Sequence, residues 1–155
     1  MSLHTASAVI SQTFKQNQTR SVYRQKDGLR FHWVEAGPAD APPLVLVHGF
    51  MAHAMAYRRV VEPLCQHFRL LIPDLPAHGR DQSYRHPGVQ PTIESLTEWL
   101  RRFCDVALGE TPAHWAGHSL GANLAYRIAR HEPHRMLSLI LTSPGVRVPA
   151  QPFVS

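Results

Sequence analysis

Short apolar runs spaced along the chain predict a set of buried strands. Three of them are almost entirely apolar: LVLV at residues 44–47, FRLLIP at 68–73 and LSLILT at 137–142. Continuous apolar runs of this length are typical of parallel strands that are covered on both faces. AHWA at residues 113–116 predicts a further strand. Nearer the amino terminus, residues 29–33 alternate apolar and polar after Asp27-Gly28, which predicts a hairpin.

Helical periodicity occupies the intervals between these strands. Residues 92–108 carry apolar side chains at three- and four-residue spacing, and Thr92 can cap the first turn. Residues 120–131 follow a similar pattern, as do residues 55–67 with an interruption at Pro63. Strands that alternate with helices predict right-handed crossovers onto a parallel sheet. The fold class is therefore α/β, with a mostly parallel sheet flanked by helices. We expect a flexible polar lead-in at residues 1–20, followed by a single unit over residues 21–155.

Charge and composition exclude several classes of function. The net charge of +5 invites a nucleic-acid interpretation. However, the arginines occur as scattered pairs without interleaved aromatic residues, so we expect no nucleic-acid binding. No apolar run reaches the roughly 18 residues that span a bilayer, and we recognise no secretory signal. Cys65 and Cys104 fall inside apolar helical patterns, which favours a reducing, cytoplasmic location.

The pattern GHSLG at residues 117–121 is the most specific chemical signal in the chain. It lies between the predicted strand AHWA and the predicted helix 120–131. A G-x-S-x-G pattern indicates a nucleophilic serine only in such a strand–turn–helix context. A serine at such a turn has its hydroxyl exposed at the carboxyl end of the sheet, where α/β proteins bind ligands. We predict that Ser119 is a nucleophile.

A second segment points to the same site. His48-Gly49-Phe50 directly follows the strand LVLV. Glycine has more backbone freedom than other residues, so the chain can turn at Gly49 and the amide of Phe50 can face Ser119. The amide of Leu120, at the positive end of its helix, would be a second donor. Phe50 and Leu120 are therefore predicted to supply the backbone N–H groups of an oxyanion hole.

At this point the sequence resembles the α/β-hydrolase family. The matching segments are residues 27–50, IPDLPAHGRD at 72–81 and GHSLG at 117–121, in the family's order and spacing. The resemblance implies a serine hydrolase that forms a Ser119 acyl-enzyme on ester, thioester or related acyl bonds, and it implies no cofactor. Because position 119 holds a serine, the chain is less similar to those members of the family that use an aspartate as the nucleophile at this turn.

Further residues are candidates for the pocket around the nucleophile. They are His48, Gly49, Met51, His53 and His118. The resemblance assigns His48 to loop structure and turns His118 away from the site. His53 follows the oxyanion loop and could line the pocket, although a surface role for it is favoured over a catalytic one. His131 and His134 invite a metal interpretation, but cationic side chains at a helix end explain them, and we predict no metal.

The acid and the base of a triad are missing from the expected positions. In this family they follow the serine in the chain. Downstream of Ser119 the only carboxylate is Glu132, and the only histidines are His131 and His134. At 1.5 Å per residue, His131 lies roughly 18 Å from Ser119 along one helix, far beyond hydrogen-bond reach. We therefore expect an amino-terminal portion of such a hydrolase, with about six strands and without the lid and final strands.

Three functional hypotheses follow from the missing partners. The first is a hydrolase whose acid and histidine lie outside this chain, so that the 155 residues alone are marginally stable and nearly inactive. The second is a non-catalytic binding protein that uses the same pocket. The third is one half of a split hydrolase completed by a partner chain. That partner would cover Leu137–Thr142, which otherwise forms an exposed apolar edge.

Overall fold

The computed structural model describes residues 19–78 and 92–145. They form a six-stranded sheet in the order β1-β2-β4-β3-β5-β6. The strands are β1 (Arg20–Lys26), β2 (Leu29–Ala36), β3 (Pro43–Val47), β4 (Arg69–Pro73), β5 (Ala113–His118) and β6 (Met136–Thr142). The α-helices are α1 (Arg58–Leu64), α2 (Ile93–Ala107) and α3 (Leu120–His131). The predicted α/β class is confirmed. The predicted lead-in at 1–20 falls almost wholly outside the described residues, as does the end of the segment IPDLPAHGRD, residues 79–81.

The hairpin forms where the sequence predicts it. β1 and β2 are antiparallel and in register, with Lys26 opposite Leu29, so only Asp27 and Gly28 form the turn. Both have positive φ, 51° and 77° respectively. Two consecutive residues with positive φ are the mark of a type I′ turn, whose twist matches that of the strands it joins.

The parallel part of the sheet is buried between helices. β3 lies between β4 and β5 and is parallel to both. Val45 and Val47 face one hydrophobic cluster, which includes α2 and α3, and Leu44 and Leu46 face a second cluster on the α1 side. A strand with helices on both faces has to be apolar at every position, which explains why LVLV does not alternate.

Helix α2 begins at the predicted cap. The Thr92 hydroxyl accepts a hydrogen bond from the amide of Ser95, and the Ser95 hydroxyl accepts one from the amide of Thr92. This reciprocal pair satisfies two amides that have no partner inside the helix. The buried stripe of α2 consists of Leu96, Trp99, Leu100, Phe103 and Cys104.

The segment predicted as one helix over residues 55–67 is shorter and is divided. A 3-10 turn over Ala54–Tyr57 leads into α1, which ends at Leu64. Pro63 lies inside the last turn of α1. Proline has no N–H to donate and its ring crowds the preceding turn, so Pro63 weakens the turn before it. The helix ends at Leu64 and does not continue to His67.

Strand β6 is the edge of the described sheet and carries exposed apolar side chains. In the described ranges it pairs only with β5. Leu137 is 53% exposed and Ile140 is 59% exposed, whereas Leu139 and Leu141 pack against the core. An unpaired edge with apolar side chains is a template for association with other strands. Among the helices described, none has the length and apolarity to cross a bilayer.

We expect Ile140→Lys to reduce association of the chain without a large loss of stability. A lysine at this exposed edge position keeps its charge in water and opposes edge-to-edge pairing. Light scattering during storage at fixed concentration measures the effect. Leu139→Lys is the matched control, because it places the charge on the core side of the same strand and should lower the unfolding free energy by about 2 kcal/mol or more. Equal association of wild type and Ile140→Lys would show that the edge is not the associating surface.

Candidate active site

Ser119 occupies a strained position between a strand and a helix. β5 ends at His118 and α3 begins at Leu120, so Ser119 alone makes the turn. Its backbone has φ 51° and ψ −114°, a conformation that costs a non-glycine residue about 1–3 kcal/mol. Such strain persists only where the surroundings fix the backbone, and it is concentrated at functional sites. Strand, strained turn and helix follow one another here, which is the strand–turn–helix elbow that the placement of GHSLG predicts. The role of Ser119 as a nucleophile stays a prediction.

The two glycines of the motif allow this turn to pack closely. A Cβ on Gly117 would come within 2.5 Å of the backbone oxygen of Gly121. A Cβ on Gly121 would overlap the carbonyl oxygen of Val47, at the end of β3. Helix α3 therefore approaches the sheet at a distance that no larger residue permits.

The loop over residues 49–51 passes directly beside Ser119. The nearest atoms to a Cβ on Gly49 would include the Cβ of Ser119 at 3.4 Å. Phe50 and Met51 follow on the surface, 70% and 83% exposed, and Met51 has φ 56°. In the described part of the chain, the amide N–H groups of Phe50 and Leu120 donate no hydrogen bond. Two backbone donors without partners are what an oxyanion hole requires.

His48 lies beneath the loop and does not line an open pocket. Its side chain is fully buried, its Nδ1 lies 2.8 Å from the Gly49 carbonyl oxygen, and its Nε2 accepts the amide of Leu75 at 3.1 Å. Because Nε2 accepts a hydrogen bond, the proton must be on Nδ1, which donates to Gly49. Burial lowers the pKa of His48 to about 4, although the Gly49 contact and Asp74 act in the opposite direction.

The contact with His48 also fixes the direction of the Phe50 amide. In a trans peptide the carbonyl and the following N–H point in opposite directions. Since the Gly49 carbonyl points towards the buried His48 ring, the N–H of Phe50 points away from it. The hydrogen bond between His48 and the Gly49 carbonyl therefore fixes the orientation of the Phe50 N–H, although that N–H donates no hydrogen bond itself in the described part of the chain.

Asp74 joins the loop to the rest of the sheet. Its carboxylate accepts the amide of Ala54 at 2.6 Å and Nδ1 of His32 at 2.8 Å. Burial raises the pKa of Asp74, but the hydrogen bonds from His32 and Ala54 outweigh burial and leave the pKa below its ordinary value. The part played by His32 could not be found from the sequence, because the two residues are 42 positions apart.

The remaining predicted pocket histidines have structural contacts. His53 accepts the amide of Met55 and caps the 3-10 turn. His118 is exposed, and its Nδ1 lies 3.2 Å from the hydroxyl of Thr142 on β6. Neither contact connects these rings to the Ser119 hydroxyl, which has no hydrogen-bond partner among the residues that the structure describes.

Glu132 and His131, which follow Ser119 in the chain, have their contacts in another part of the molecule. Glu132 is paired with Arg135, which also bonds Asp105 on α2. His131 lines a charged groove of about 250 Å³ between α2 and α3, whose lining includes none of the predicted site residues. The structure thus brings together Ser119, Gly49, Phe50 and Leu120, and it does not bring an acid or a base to them from residues 120–145. In the described ranges, no group of three potential metal ligands occurs.

Comparisons with known proteins agree with this geometry. A family model described as alpha/beta hydrolase fold matches residues 42–154. The pimeloyl-[acyl-carrier protein] methyl ester esterase of Vibrio campbellii is 32% identical over 122 residues, which are 77% of this chain and 43% of that protein. The magnesium-chelatase 30 kDa subunit of Rhodobacter capsulatus is 38% identical over 104 residues, which are 65% of this chain and 35% of that protein.

Solved structures resemble the chain over similar lengths. A hydrolase from Pseudomonas aeruginosa PA01 has a TM-score of 0.69 at 28% identity, with 79% of this chain and 45% of that chain covered. The thioesterase domain from the curacin biosynthetic pathway has a TM-score of 0.72 at 27% identity, with 81% and 46% covered. The chain therefore spans less than half the length of each of these relatives.

We expect Gly121→Ala to destabilise the fold by about 3 kcal/mol or more, because the new methyl group overlaps the backbone of β3 and not a movable side chain. Gly109→Ala is the matched control. It also adds one methyl group, at a residue with φ 59° and open space around it, and should cost about 1–2 kcal/mol. Urea denaturation of both variants measures the difference, and equal losses would contradict the proposed close approach of α3.

The pH dependence of stability should reveal the buried neutral His48. Unfolded histidine binds a proton near pH 6.5, whereas folded His48 resists protonation until about pH 4. The unfolded state therefore binds more protons in this window, and stability should fall by about 3 kcal/mol as the pH falls from 6.5 to 4. Urea denaturation at several pH values measures this change.

Two asparagine variants separate His48 from the other histidines. His48→Asn should be less stable at pH 7 and should lose most of the pH dependence, because an amide does not titrate. His67→Asn, at an exposed position, should keep the wild-type pH dependence. A His48→Asn profile parallel to that of wild type would show that His48 is not the group responsible.

Proposed function

We propose that this chain, which belongs to the alpha/beta hydrolase fold family, carries the nucleophile and the oxyanion hole of an enzyme that cleaves acyl esters or thioesters. One observation carries the proposal. The strained Ser119 lies beside Gly49 and directly precedes Leu120, and the amides of Phe50 and Leu120 have no hydrogen-bond partner in the described part of the chain. A binding module would have no need for a serine in a strained turn next to two unoccupied donors.

The proposed chemistry is acyl transfer in two steps. The hydroxyl oxygen of Ser119 attacks the carbonyl carbon of the substrate while a general base takes the hydroxyl proton. The negative charge that develops on the carbonyl oxygen is stabilised by the N–H groups of Phe50 and Leu120, each worth about 3 kcal/mol in such sites. The alcohol or thiol leaves with the proton, and water then releases the acid from the acyl-Ser119 intermediate.

The base and its acidic partner are proposed to lie outside these 155 residues. After Ser119 the chain offers only His131, Glu132 and His134, at the far end of α3 and beyond it. Glu132 is engaged with Arg135, and His131 faces the groove against α2. Alone, the chain would retain binding and the oxyanion hole but would react slowly, because a positioned base contributes about 10² to 10⁴ in rate.

The apolar surface beside the nucleophile supports an acyl substrate. Phe50 and Met51 expose large apolar side chains next to Gly49, which itself adjoins Ser119. An exposed aromatic and an exposed thioether at one position mark a surface that another apolar group covers. Relatives with acyl ester and thioester chemistry in their names, the methyl ester esterase and the curacin thioesterase domain, favour the same substrate class.

Added imidazole provides a direct test, because it can act as the missing base. The chain is incubated with p-nitrophenyl butyrate with and without imidazole, and the tryptic peptide 103–127, which contains Ser119, is weighed by mass spectrometry. We expect butyryl-Ser119 to form at least about tenfold faster with imidazole than without it.

Two variants make this result specific. Ser119→Ala should show no butyrylated peptide and only the background release of p-nitrophenol by imidazole. Ser21→Ala, which changes an exposed serine on β1, should behave as wild type. Equal p-nitrophenol release by Ser119→Ala and wild type, with no label on Ser119, would overturn the proposal and would leave a binding role for the pocket.

A further inference from the structure

Thr142, the last residue of β6, holds the elbow on both sides of His118. The amide of Ser119 donates to the Thr142 carbonyl oxygen at 2.9 Å. The Thr142 hydroxyl donates to the Gly117 carbonyl oxygen at 3.1 Å. Thr142 therefore binds both peptide groups that flank His118, the one that joins Gly117 to His118 and the one that joins His118 to Ser119.

We propose that Thr142 is a positioning residue that fixes the direction of the Ser119 side chain by anchoring the Gly117 and Ser119 backbone through its own hydroxyl and carbonyl groups. This inference rests on the proposed function, in that it assigns Thr142 a role in the same reaction. Thr142 acts through the backbone of the elbow and is not assigned any contact with substrate.

His118 completes the arrangement. Its Nδ1 lies 3.2 Å from the Thr142 hydroxyl oxygen. A threonine hydroxyl has a single proton, and Thr142 uses it on the Gly117 carbonyl, so the imidazole must be the donor in this contact. The His118 ring therefore carries its proton on Nδ1 and orients the hydroxyl towards Gly117. This gives the second residue of GHSLG a definite function that is neither metal binding nor proton transfer to substrate.

The physical need for such an anchor comes from the strained backbone. Ser119 has φ 51°, and Ser143, the residue after the anchor, has φ 49°. A strained turn relaxes unless neighbouring contacts determine it, and relaxation here would rotate the nucleophile away from the amides of Phe50 and Leu120. Because the chain turns immediately after Thr142, this is the last position of β6 that remains in register with the elbow.

The test compares Thr142→Val with Thr142→Ser in the imidazole-dependent acylation of Ser119. Valine keeps the shape and the backbone carbonyl but removes the hydroxyl, whereas serine keeps the hydroxyl. We expect Thr142→Val to lower the acylation rate about tenfold with little change in the ester concentration that gives half the maximal rate. Thr142→Ser should restore the rate to within about twofold of wild type.

A matched control removes the same kind of hydrogen bond elsewhere. The hydroxyl of Thr97 donates to the carbonyl oxygen of Ile93 inside α2. Thr97→Val should leave the acylation rate unchanged, even if it lowers the unfolding free energy as much as Thr142→Val does. A loss of rate that follows stability across both variants, or a Thr142→Ser rate as low as that of Thr142→Val, would overturn the inference.

A second measurement is independent of catalysis, so the two proposals can fail separately. Nitrogen-15 NMR should place the His118 proton on Nδ1 in wild type and Thr142→Ser, and should show a tautomer mixture in Thr142→Val. The Ser119 amide should exchange with solvent about tenfold faster in Thr142→Val. If wild-type Ser119 is never acylated but these changes occur, the proposed function fails and the anchor stands. If His118 and the Ser119 amide are unchanged, the anchor fails.

Discussion

The close approach of helix α3 to the carbonyl end of β3 is the constraint on which the rest of this molecule depends. Only a glycine at position 121 fits against the Val47 carbonyl, and the turn between β5 and α3 must then be made by Ser119 alone. The strained φ of Ser119 follows from this packing, and Leu120, as the first residue of the helix, has an N–H without an intrahelical partner. The apolar run LVLV contributes to the site because it makes β3 a fixed central strand.

The other half of the site is held by buried polar groups. His48 fixes the peptide between Gly49 and Phe50, and Asp74 ties the following turn to β2 through His32. These hydrogen bonds are buried, so each lost partner would leave an unsatisfied group at a cost of about 1–3 kcal/mol. The loop is therefore rigid on its inner side, while Phe50 and Met51 on its outer side remain available to another apolar group.

Much of this architecture could be predicted from local sequence signals. Asp27-Gly28 specified a two-residue hairpin turn, Thr92 specified a helix start, and residues 120–131 matched helix α3 at both ends. The boundaries of α1 could not be predicted, because a 3-10 turn and an α-helix have similar apolar spacing. The roles of His32 and Thr142 were also missed, since they depend on contacts between strands that are far apart in the chain.

A crystal structure of the chain treated with butylboronic acid tests the central claim most directly. Boronic acids add to a serine whose hydroxyl proton is taken by a base, here supplied by added imidazole, and the adduct imitates the tetrahedral intermediate of acyl transfer. We expect a tetrahedral boron on Oγ of Ser119 with one oxygen at about 2.7–3.1 Å from the amide nitrogens of both Phe50 and Leu120. A boronate attached to Ser119 with that oxygen directed away from the two amides, or no adduct at a concentration that saturates serine esterases, would contradict it.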